Sequence, residues 1–260
     1  AGVTTVLDAL CLGDLGFDKE RIKTFHDGVA DLDALAHTGL LKSEHFLHLR
    51  CELPASDMME LLDPVADHPL VRMISLMDHS PGVGQYANLE AYRKLRRKEG
   101  ANEAFIERRI HELADQRARM RDPNRRALLA RVAGLDVALA SHDDRTEEEI
   151  AENAADGIRI SEFPVTMLAA QAARARGMEV IAGAPNIVRG GSHSGNVAAE
   201  DLAREGVLDI LSSDYIPSSL LIAALGLPRR VPAITLPTAI AMVTRSPARA
   251  TGLADRGALE

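Results

Sequence analysis

Carboxylates and imidazoles stand at the ends of successive short apolar runs in this sequence. Four of them are residue types that bind divalent metals: Glu52, His79, His142 and Asp214. Imidazole nitrogens and carboxylate oxygens together are common ligands of catalytic zinc and related ions. A carboxylate such as Glu52 can bridge two metals about 3.5–4 Å apart, and Asp214 can bind a metal and accept a proton from water. The pattern predicts a metal-dependent hydrolytic site with Asp214 as its catalytic base.

Each of these residues also has a simpler structural explanation. Glu52 precedes Leu53 and Pro54 and can end its strand, and Asp214 can cap a helix over residues 217–225. A histidine after a strand is commonly a capping or surface residue. We favour a metal site because four unrelated capping residues would not all be suitable ligands at the same end of successive strands.

The stretch GAPNIVRGGSHSGN (183–196) combines three closely spaced glycines with one arginine and few apolar residues. Glycine lets backbone N–H groups approach an anion, arginine grips phosphate with two N–H groups, and serine adds a hydroxyl donor. The stretch therefore predicts a phosphate-binding loop. The candidates for substrate contact are Asn186, Arg189, Ser192, His193 and Asn196. It is not a P-loop, because no Gly-Lys-Ser/Thr follows, and the alternative is a surface loop whose glycines only permit turns.

Short apolar runs alternate along the chain with longer amphipathic segments. Strands are predicted over residues 3–10, 45–52, 71–78, 135–141, 157–161, 178–183 and 207–213, and helices over 19–37, 87–131, 146–155, 165–176 and 197–205. Near-continuous apolar strands that alternate with helices are typical of a parallel sheet. The pattern predicts an α/β fold, namely a (β/α)8 TIM-like barrel of the metal-dependent hydrolase type whose first strand precedes residue 1.

An open doubly wound sheet is the alternative to the barrel. Polar residues follow strand after strand: Glu52, Asp78-His79, His142-Asp143-Asp144, Glu162, Asn186 and Ser213-Asp214. A barrel gathers such strand ends on one face, where barrel enzymes have their active sites. An open sheet would spread them along a line, so the barrel is favoured.

The composition narrows the class of protein. The chain has 260 residues and a formal net charge of −8, which suits one globular enzyme domain and argues against a nucleic-acid-binding surface. No apolar run is long enough to span a bilayer, and the first ten residues lack the basic start of a signal peptide. Cys11 and Cys51 do not make a disulfide framework, so a cytoplasmic location is expected.

The segment 92–131 is helical and locally basic against this acidic background. It is expected to form a solvated helical hairpin; the alternative is a rim that attracts a polyanion or docks an acidic partner. The histidines away from the strand ends are expected to be structural or solvated: His26, His37, His45, His48, His68 and His111.

Several stretches together resemble the phosphonate-metabolism (PhnM) family of the amidohydrolase superfamily. They are TTVLDALCLGD (4–14), LHLRCELP (47–54), ISLMDHSPGVGQY (74–86), ASHDD (140–144), RISEFPVTMLAA (159–170), GAPNIVRGGSHSGN (183–196) and ILSSDYIPSSLL (210–221). The run SPARATGLADRGALE (246–260) is similar to the superfamily more generally. The resemblance covers nearly the whole chain, and GAPN…RGGSHSGN and LSSDY are its most specific parts.

The resemblance implies a metal-dependent barrel that hydrolyses the 5-triphosphate of a ribose phosphonate and releases pyrophosphate, in the carbon–phosphorus lyase pathway. It implies metal ligands at Glu52, His79, His142 and Asp214, with Glu52 in the bridging place of a two-metal site, and zinc is the first choice of metal. The five candidates in 183–196 would then grip the triphosphate or the ribose. A homo-oligomer and contacts with other phosphonate-pathway proteins are further expectations.

Two features of the superfamily have no counterpart in these residues. They are a His-x-His-like pair on the first barrel strand and a small β-domain built from both ends of the chain. We therefore expect residues 1–260 to be a single barrel domain from the centre of a longer protein, in which the metal site is complete. The alternatives are an amidohydrolase that acts on a C–N bond, of the cyclic amidase or deaminase type, and a non-catalytic assembly subunit.

Overall fold

The structure, a computed structural model, describes residues 2–16, 20–36, 38–192 and 196–258, which fall into two compact units. The N-terminal unit is Thr5–Leu135, and the C-terminal unit is Asp136–Glu260 together with Ala1–Thr4. Among the described residues the units hold seven strands, and the neighbouring strands within each unit are parallel. The α/β class predicted from the sequence is therefore confirmed.

The N-terminal unit has three parallel strands in the order β1, β2, β3. Its elements are β1 (Thr5–Leu12), α1 (Arg21–Leu35), β2 (Glu44–Glu52), α2 (Met58–Leu62), β3 (Val71–Met77), a short 3-10 helix (Gly84–Tyr86), α3 (Leu89–Lys98) and α4 (Glu103–Val132). Strands β2 and β3 are buried along most of their length, on both faces, as expected for parallel strands covered by helices.

Helices α3 and α4 form the hairpin predicted from the basic segment. Asn88 and Asn102 cap the two helices by accepting backbone N–H bonds from Ala91 and Phe105. Apolar contacts join the helices through a small cluster centred on Tyr92, Ile106 and Ile110.

The arginines of this hairpin are engaged by carboxylates. The ion pairs include Arg93 with Glu107, Arg97 with Glu90 and Glu103, Arg96 with Glu99, Arg109 with Glu112, and Arg131 with Asp63 and Asp67. Exposed pairs of this kind each contribute little to stability. They do offset the local positive charge, which favours the solvated hairpin over a surface that attracts polyanions.

The C-terminal unit has four parallel strands in the order β4, β5, β6, β7. Its elements are β4 (Ala138–His142), α5 (Glu147–Ala155), β5 (Ile160–Glu162), α6 (Met167–Ala175), β6 (Glu179–Gly183), α7 (Ala184–Arg189), α8 (Ala199–Arg204), β7 (Ile210–Ser212), α9 (Ser219–Arg230), α10 (Leu236–Ala241) and α11 (Arg245–Ala250). Thr146 and Glu149 form a capping box at the start of α5.

The predicted strands and helices match these elements, with bounds that differ by a few residues. The first strand lies at Thr5–Leu12 rather than 3–10, and the long segment 87–131 is two helices because Gly100 breaks it with a φ of 91°. Each unit shows the strand–helix alternation that the barrel requires, while the closed barrel and the additional strand and β-domain stay predictions. Within the described ranges, every helix is too short or too polar to cross a membrane.

Candidate active site

Glu52 and His79 form a buried pair at the carboxyl ends of β2 and β3. The register pairs Glu52 with Met77, the last residue of β3, so the chain that continues to His79 passes beside the carboxylate. Glu52 Oε1 accepts a hydrogen bond from the backbone N–H of His79, and Oε2 lies 2.7 Å from His79 Nδ1. Arg21 Nη1 lies 3.8 Å from the same Oε2.

The Glu52 carboxylate is ionised although it is fully buried. Burial raises its pKa, but the charge and hydrogen bonds of His79 and the charge of Arg21 outweigh burial, so the net pKa is lowered. An ionised carboxylate only accepts hydrogen bonds, so His79 Nδ1 carries a proton whether the ring is charged or neutral. In the neutral ring the lone pair is on Nε2, on the side away from Glu52, where it can bind a metal.

His142 and Glu162 repeat this construction in the C-terminal unit. They are register partners at the last positions of β4 and β5, and His142 Nδ1 lies 2.7 Å from Glu162 Oε2. Both side chains are nearly inaccessible to solvent, and Phe163 packs edge-on against the His142 ring. When Nδ1 donates to this carboxylate, the neutral ring carries its lone pair on Nε2.

Asp143 adds a second donor atom beside His142. Its Oδ2 lies 3.8 Å from His142 Nε2, and its backbone N–H donates to the carbonyl of Glu162. A buried imidazole nitrogen and a carboxylate oxygen at this separation are suited to share one divalent cation, so this donor set fits a metal. The predicted ligand set contained His142 but not Asp143 or Glu162, although both had been noted among the polar residues that follow strands.

Backbone strain is concentrated at these strand ends. Among the described residues, the non-glycine residues with positive φ are Asp143 (57°), Phe163 (56°) and Asp214 (49°). Each lies one or two residues after the end of a strand: Asp143 after β4, Phe163 after β5 and Asp214 after β7. A left-handed backbone at a residue other than glycine costs energy and occurs most often where a site requires it. The strain therefore makes the carboxyl ends of these strands candidates for a functional site.

The side chain of Asp144 joins β4, β5 and α5 through hydrogen bonds. Its Oδ2 accepts hydrogen bonds from the hydroxyls of Ser141 and Ser161, both at 2.5 Å, and its Oδ1 accepts from Asn153 Nδ2 at 2.8 Å. Burial raises the pKa of Asp144 to about 6, even though the two serine hydrogen bonds act in the opposite direction. Asp144 therefore stabilises the turn that presents His142.

The raised pKa of Asp144 predicts a specific pH dependence of stability. The folded chain holds this proton more tightly than the unfolded chain, so the unfolding free energy should fall as pH rises from about 4 towards about 6 and stay lower above that. Relative to Asp144→Asn, the wild type should lose on the order of 2 kcal/mol between pH 4.5 and pH 7.5. Urea unfolding of both proteins at pH 4.5 and 7.5 measures the difference, and equal pH dependence of the two would contradict the prediction.

Asp214 lies just beyond β7, beside the end of β6. Its backbone N–H donates to Ser212 Oγ, and its Oδ2 lies 3.6 Å from the position that a Cβ on Gly183 would occupy. Helix α9 begins later than the helix that Asp214 was considered to cap, and its N-cap position is Ser218. The capping explanation of Asp214 therefore fails.

The stretch 183–196 is partly helical rather than an open loop. Residues Ala184–Arg189 form α7, which ends at Gly190 with a φ of 86°. Asn186 Oδ1 accepts the backbone N–H of Ala199, at the start of α8, so this amide supports the local fold. Arg189 is exposed and donates a hydrogen bond to the hydroxyl of Tyr215, the residue that follows Asp214 in the chain.

The other predicted substrate contacts have less structural definition. Ser192 and Asn196 are partly exposed, and His193 lies outside the described residues. Tyr215, which is not among the predicted contacts, stands next to Asp214 in the chain and contacts Arg189. The sequence signal for Tyr215 is its place in LSSDY, one of the most specific parts of the family resemblance.

Three of the other histidines have structural partners, as expected. His45 Nδ1 lies 2.6 Å from Asp8 Oδ2 at the amino end of β2, His48 Nε2 contacts Ser75 Oγ, and His68 faces Asp33. His37 lies outside the described residues.

Comparison with known proteins identifies the family. No protein-family model matches the chain. The chain is 44% identical over 261 residues to an enzyme of Escherichia coli (strain K12), the alpha-D-ribose 1-methylphosphonate 5-triphosphate diphosphatase. The match covers 100% of this chain and 69% of that enzyme, and it confirms the resemblance to the PhnM family. The chain therefore belongs to the family of alpha-D-ribose 1-methylphosphonate 5-triphosphate diphosphatases.

Proposed function

We propose that this chain hydrolyses the triphosphate of alpha-D-ribose 1-methylphosphonate 5-triphosphate and releases pyrophosphate, with the help of a divalent metal. The 44% identity over the whole chain to an enzyme with this activity in its name carries the proposal. We assign the reaction to phosphonate catabolism by the carbon–phosphorus lyase pathway. Two buried histidine–carboxylate pairs at strand ends support the chemistry.

The proposed metal ligands are those expected from the sequence, Glu52, His79, His142 and Asp214, with Asp143 added. A role of His79 and His142 as ligands is supported by the carboxylate that contacts Nδ1 of each ring. This arrangement is common around metal-binding histidines. A divalent metal, zinc by first choice, supplies positive charge to phosphate oxygens and makes water acidic enough to attack near neutral pH. We expect two metals in the complete protein.

Glu52 has two ways to serve this site. Both of its oxygens accept hydrogen bonds from His79, which favours a role in orienting that ring. Each carboxylate oxygen keeps a second lone pair, so direct binding of a metal by Glu52 is compatible with both bonds. We therefore propose that Glu52 orients His79 and would also hold a metal through its remaining lone pairs.

The remaining residues account for the proton and the leaving group. Water adds to phosphorus while the anhydride bond to pyrophosphate breaks, and Asp214 accepts the proton that water loses. Arg189 donates to the hydroxyl of Tyr215, the residue after Asp214 in the C-terminal unit, and it can neutralise charge on the leaving pyrophosphate.

Substitution of Arg189 should weaken substrate binding more than it slows chemistry. Loss of a charged hydrogen bond costs about 1.5–3 kcal/mol, so Arg189→Ala should raise KM roughly 10–100-fold, and Arg189→Lys should recover part of the loss. Steady-state kinetics measure the effect. Arg204→Gln is the matched control, because Arg204 is an exposed arginine of the same unit that pairs with Glu200 and Asp201. Equal KM values for Arg189→Ala and Arg204→Gln would remove Arg189 from the substrate site.

Product analysis tests the function itself. Purified protein with zinc or another divalent metal is incubated with alpha-D-ribose 1-methylphosphonate 5-triphosphate, and phosphorus NMR identifies what is released. The proposal expects pyrophosphate. Orthophosphate alone, or hydrolysis of a cyclic amide in place of the triphosphate, would assign the chain a different reaction.

A further inference from the structure

Helix α4 holds the turn that follows Glu52. The buried Asn124 donates both hydrogens of its Nδ2 to backbone carbonyls, those of Leu53 and Ala55, each at 2.8 Å. From the other side Gly13 packs so closely that a Cβ there would lie 2.6 Å from Ala55 Cβ and 3.1 Å from Glu52 Cβ. The backbone around Glu52 is therefore fixed from two directions.

The same helix holds the chain around His79. Arg117 Nε donates to Asp78 Oδ2 at 2.5 Å, and Asp78 Oδ1 accepts the backbone N–H of Ser80 at 3.1 Å. Asp78 and Ser80 are the two chain neighbours of His79. One of the two bonds between Glu52 and His79 uses the His79 backbone N–H, so it depends directly on the position of this segment.

These contacts come from one stripe of the helix. Arg117 and Asn124 are seven residues apart, which is two turns, so their side chains leave the same face. Gln116, beside Arg117, donates to the carbonyl of Pro54. Arg131, another seven residues on, contacts Asp63 and Asp67 instead, beyond α2 and away from the Glu52 turn.

We propose that this stripe of α4 positions the Glu52–His79 pair, with Arg117 and Asn124 as positioning residues that act through the two flanking segments. The proposal rests on the proposed function in one respect, since it assigns the pair to the metal site. A site of this kind needs its side chains held to within about 0.5 Å, and neighbouring hydrogen bonds provide that restraint. The hairpin then has a role in the site.

A purely structural role for the stripe makes a different prediction. If Asn124 and Arg117 only satisfied carbonyls and a carboxylate, their loss would lower stability and leave the His79 ring unchanged. If they position the pair, their loss changes the hydrogen bond at His79 Nδ1 and the affinity of the site for metal.

The test compares Arg117→Gln with Arg117→Lys and with the matched control Arg131→Gln on the same stripe. Nitrogen-15 NMR of the His79 ring, assigned by its loss in His79→Asn, reports the tautomer in metal-free protein, and competitive titration gives the zinc Kd. We expect Arg117→Gln to move the ring away from the Nδ1–H form and to weaken zinc binding about tenfold. Arg117→Lys should recover most of both, and Arg131→Gln should match the wild type.

The proposal is overturned if Arg117→Gln and Arg131→Gln give the same ring signals and the same zinc Kd. Should Arg117→Gln fail to fold, Asp78→Asn replaces it, because it weakens the same ion pair and keeps an acceptor for Ser80. The ring signals need neither metal nor substrate. A chain without diphosphatase activity whose ring still responds to Arg117→Gln would therefore reject the proposed function and keep the positioning role.

Discussion

Replacement of His142 by asparagine should abolish both metal binding and pyrophosphate release. The substitution removes Nε2, the nitrogen that the Glu162 hydrogen bond leaves as a lone-pair donor, and leaves the Glu162 carboxylate buried without its imidazole partner. Metal content measured by mass spectrometry should fall well below that of the wild type. Activity should fall by more than the roughly 10–100-fold that loss of an outer partner of a ligand costs.

Two comparisons make this result specific. Glu162→Gln keeps the imidazole and changes only its partner, so the metal affinity should fall by roughly 10–100-fold rather than disappear. His45→Asn removes an imidazole with the same kind of bond, 2.6 Å to Asp8, at the amino end of β2. It should leave metal content and activity unchanged. A His142→Asn protein with full metal content, or a His45→Asn protein that loses its metal, would contradict the assignment.

Replacement of Asp214 by asparagine is expected to reduce kcat by roughly 10²–10⁴-fold, the usual contribution of a general base, with a smaller change in KM. Asparagine keeps an oxygen of similar position but cannot take a proton from water. The left-handed backbone at Asp214 and its place beside Gly183 support a role in the site. Single-turnover kinetics with bound metal quantified in each sample separate this effect from loss of metal.

Asp209→Asn provides the control for that experiment. Asp209 lies just before β7, at its amino end, and accepts a hydrogen bond from the backbone N–H of Val180. Its replacement should affect stability and leave kcat near the wild-type value. A loss of kcat in Asp209→Asn as large as that in Asp214→Asn would show that the effect does not depend on the position of Asp214.

The strand–helix order was predictable from the sequence because it depends on local patterns. Apolar runs such as 71–78 and 178–183 are long enough to show a buried parallel strand, and the observed strands Val71–Met77 and Glu179–Gly183 follow them closely. Helix α7 was missed because six residues are too few to show a helical period, and its neighbours Gly190 and Gly191 indicated a loop. The residues that follow the strands were recognised for the same local reason.

The pairing of those residues was not predictable. The bond between His142 and Glu162 depends on the register of β4 against β5, which places them directly opposite each other. Nothing local to either segment encodes this register, and a shift by one residue would send Glu162 to the other face. Asp143 was passed over because its side-chain direction depends on a left-handed backbone that aspartate adopts only occasionally.

The most direct test of a metal-dependent diphosphatase is the rate of pyrophosphate release as a function of bound metal. Metal is removed with a chelator, restored in measured steps, and the release of pyrophosphate from alpha-D-ribose 1-methylphosphonate 5-triphosphate is followed at each step. We expect no release from the metal-free chain, an increase in proportion to metal bound, and no recovery in His142→Asn. Release at the full rate without metal, or none from the metal-loaded protein, would contradict the proposed function.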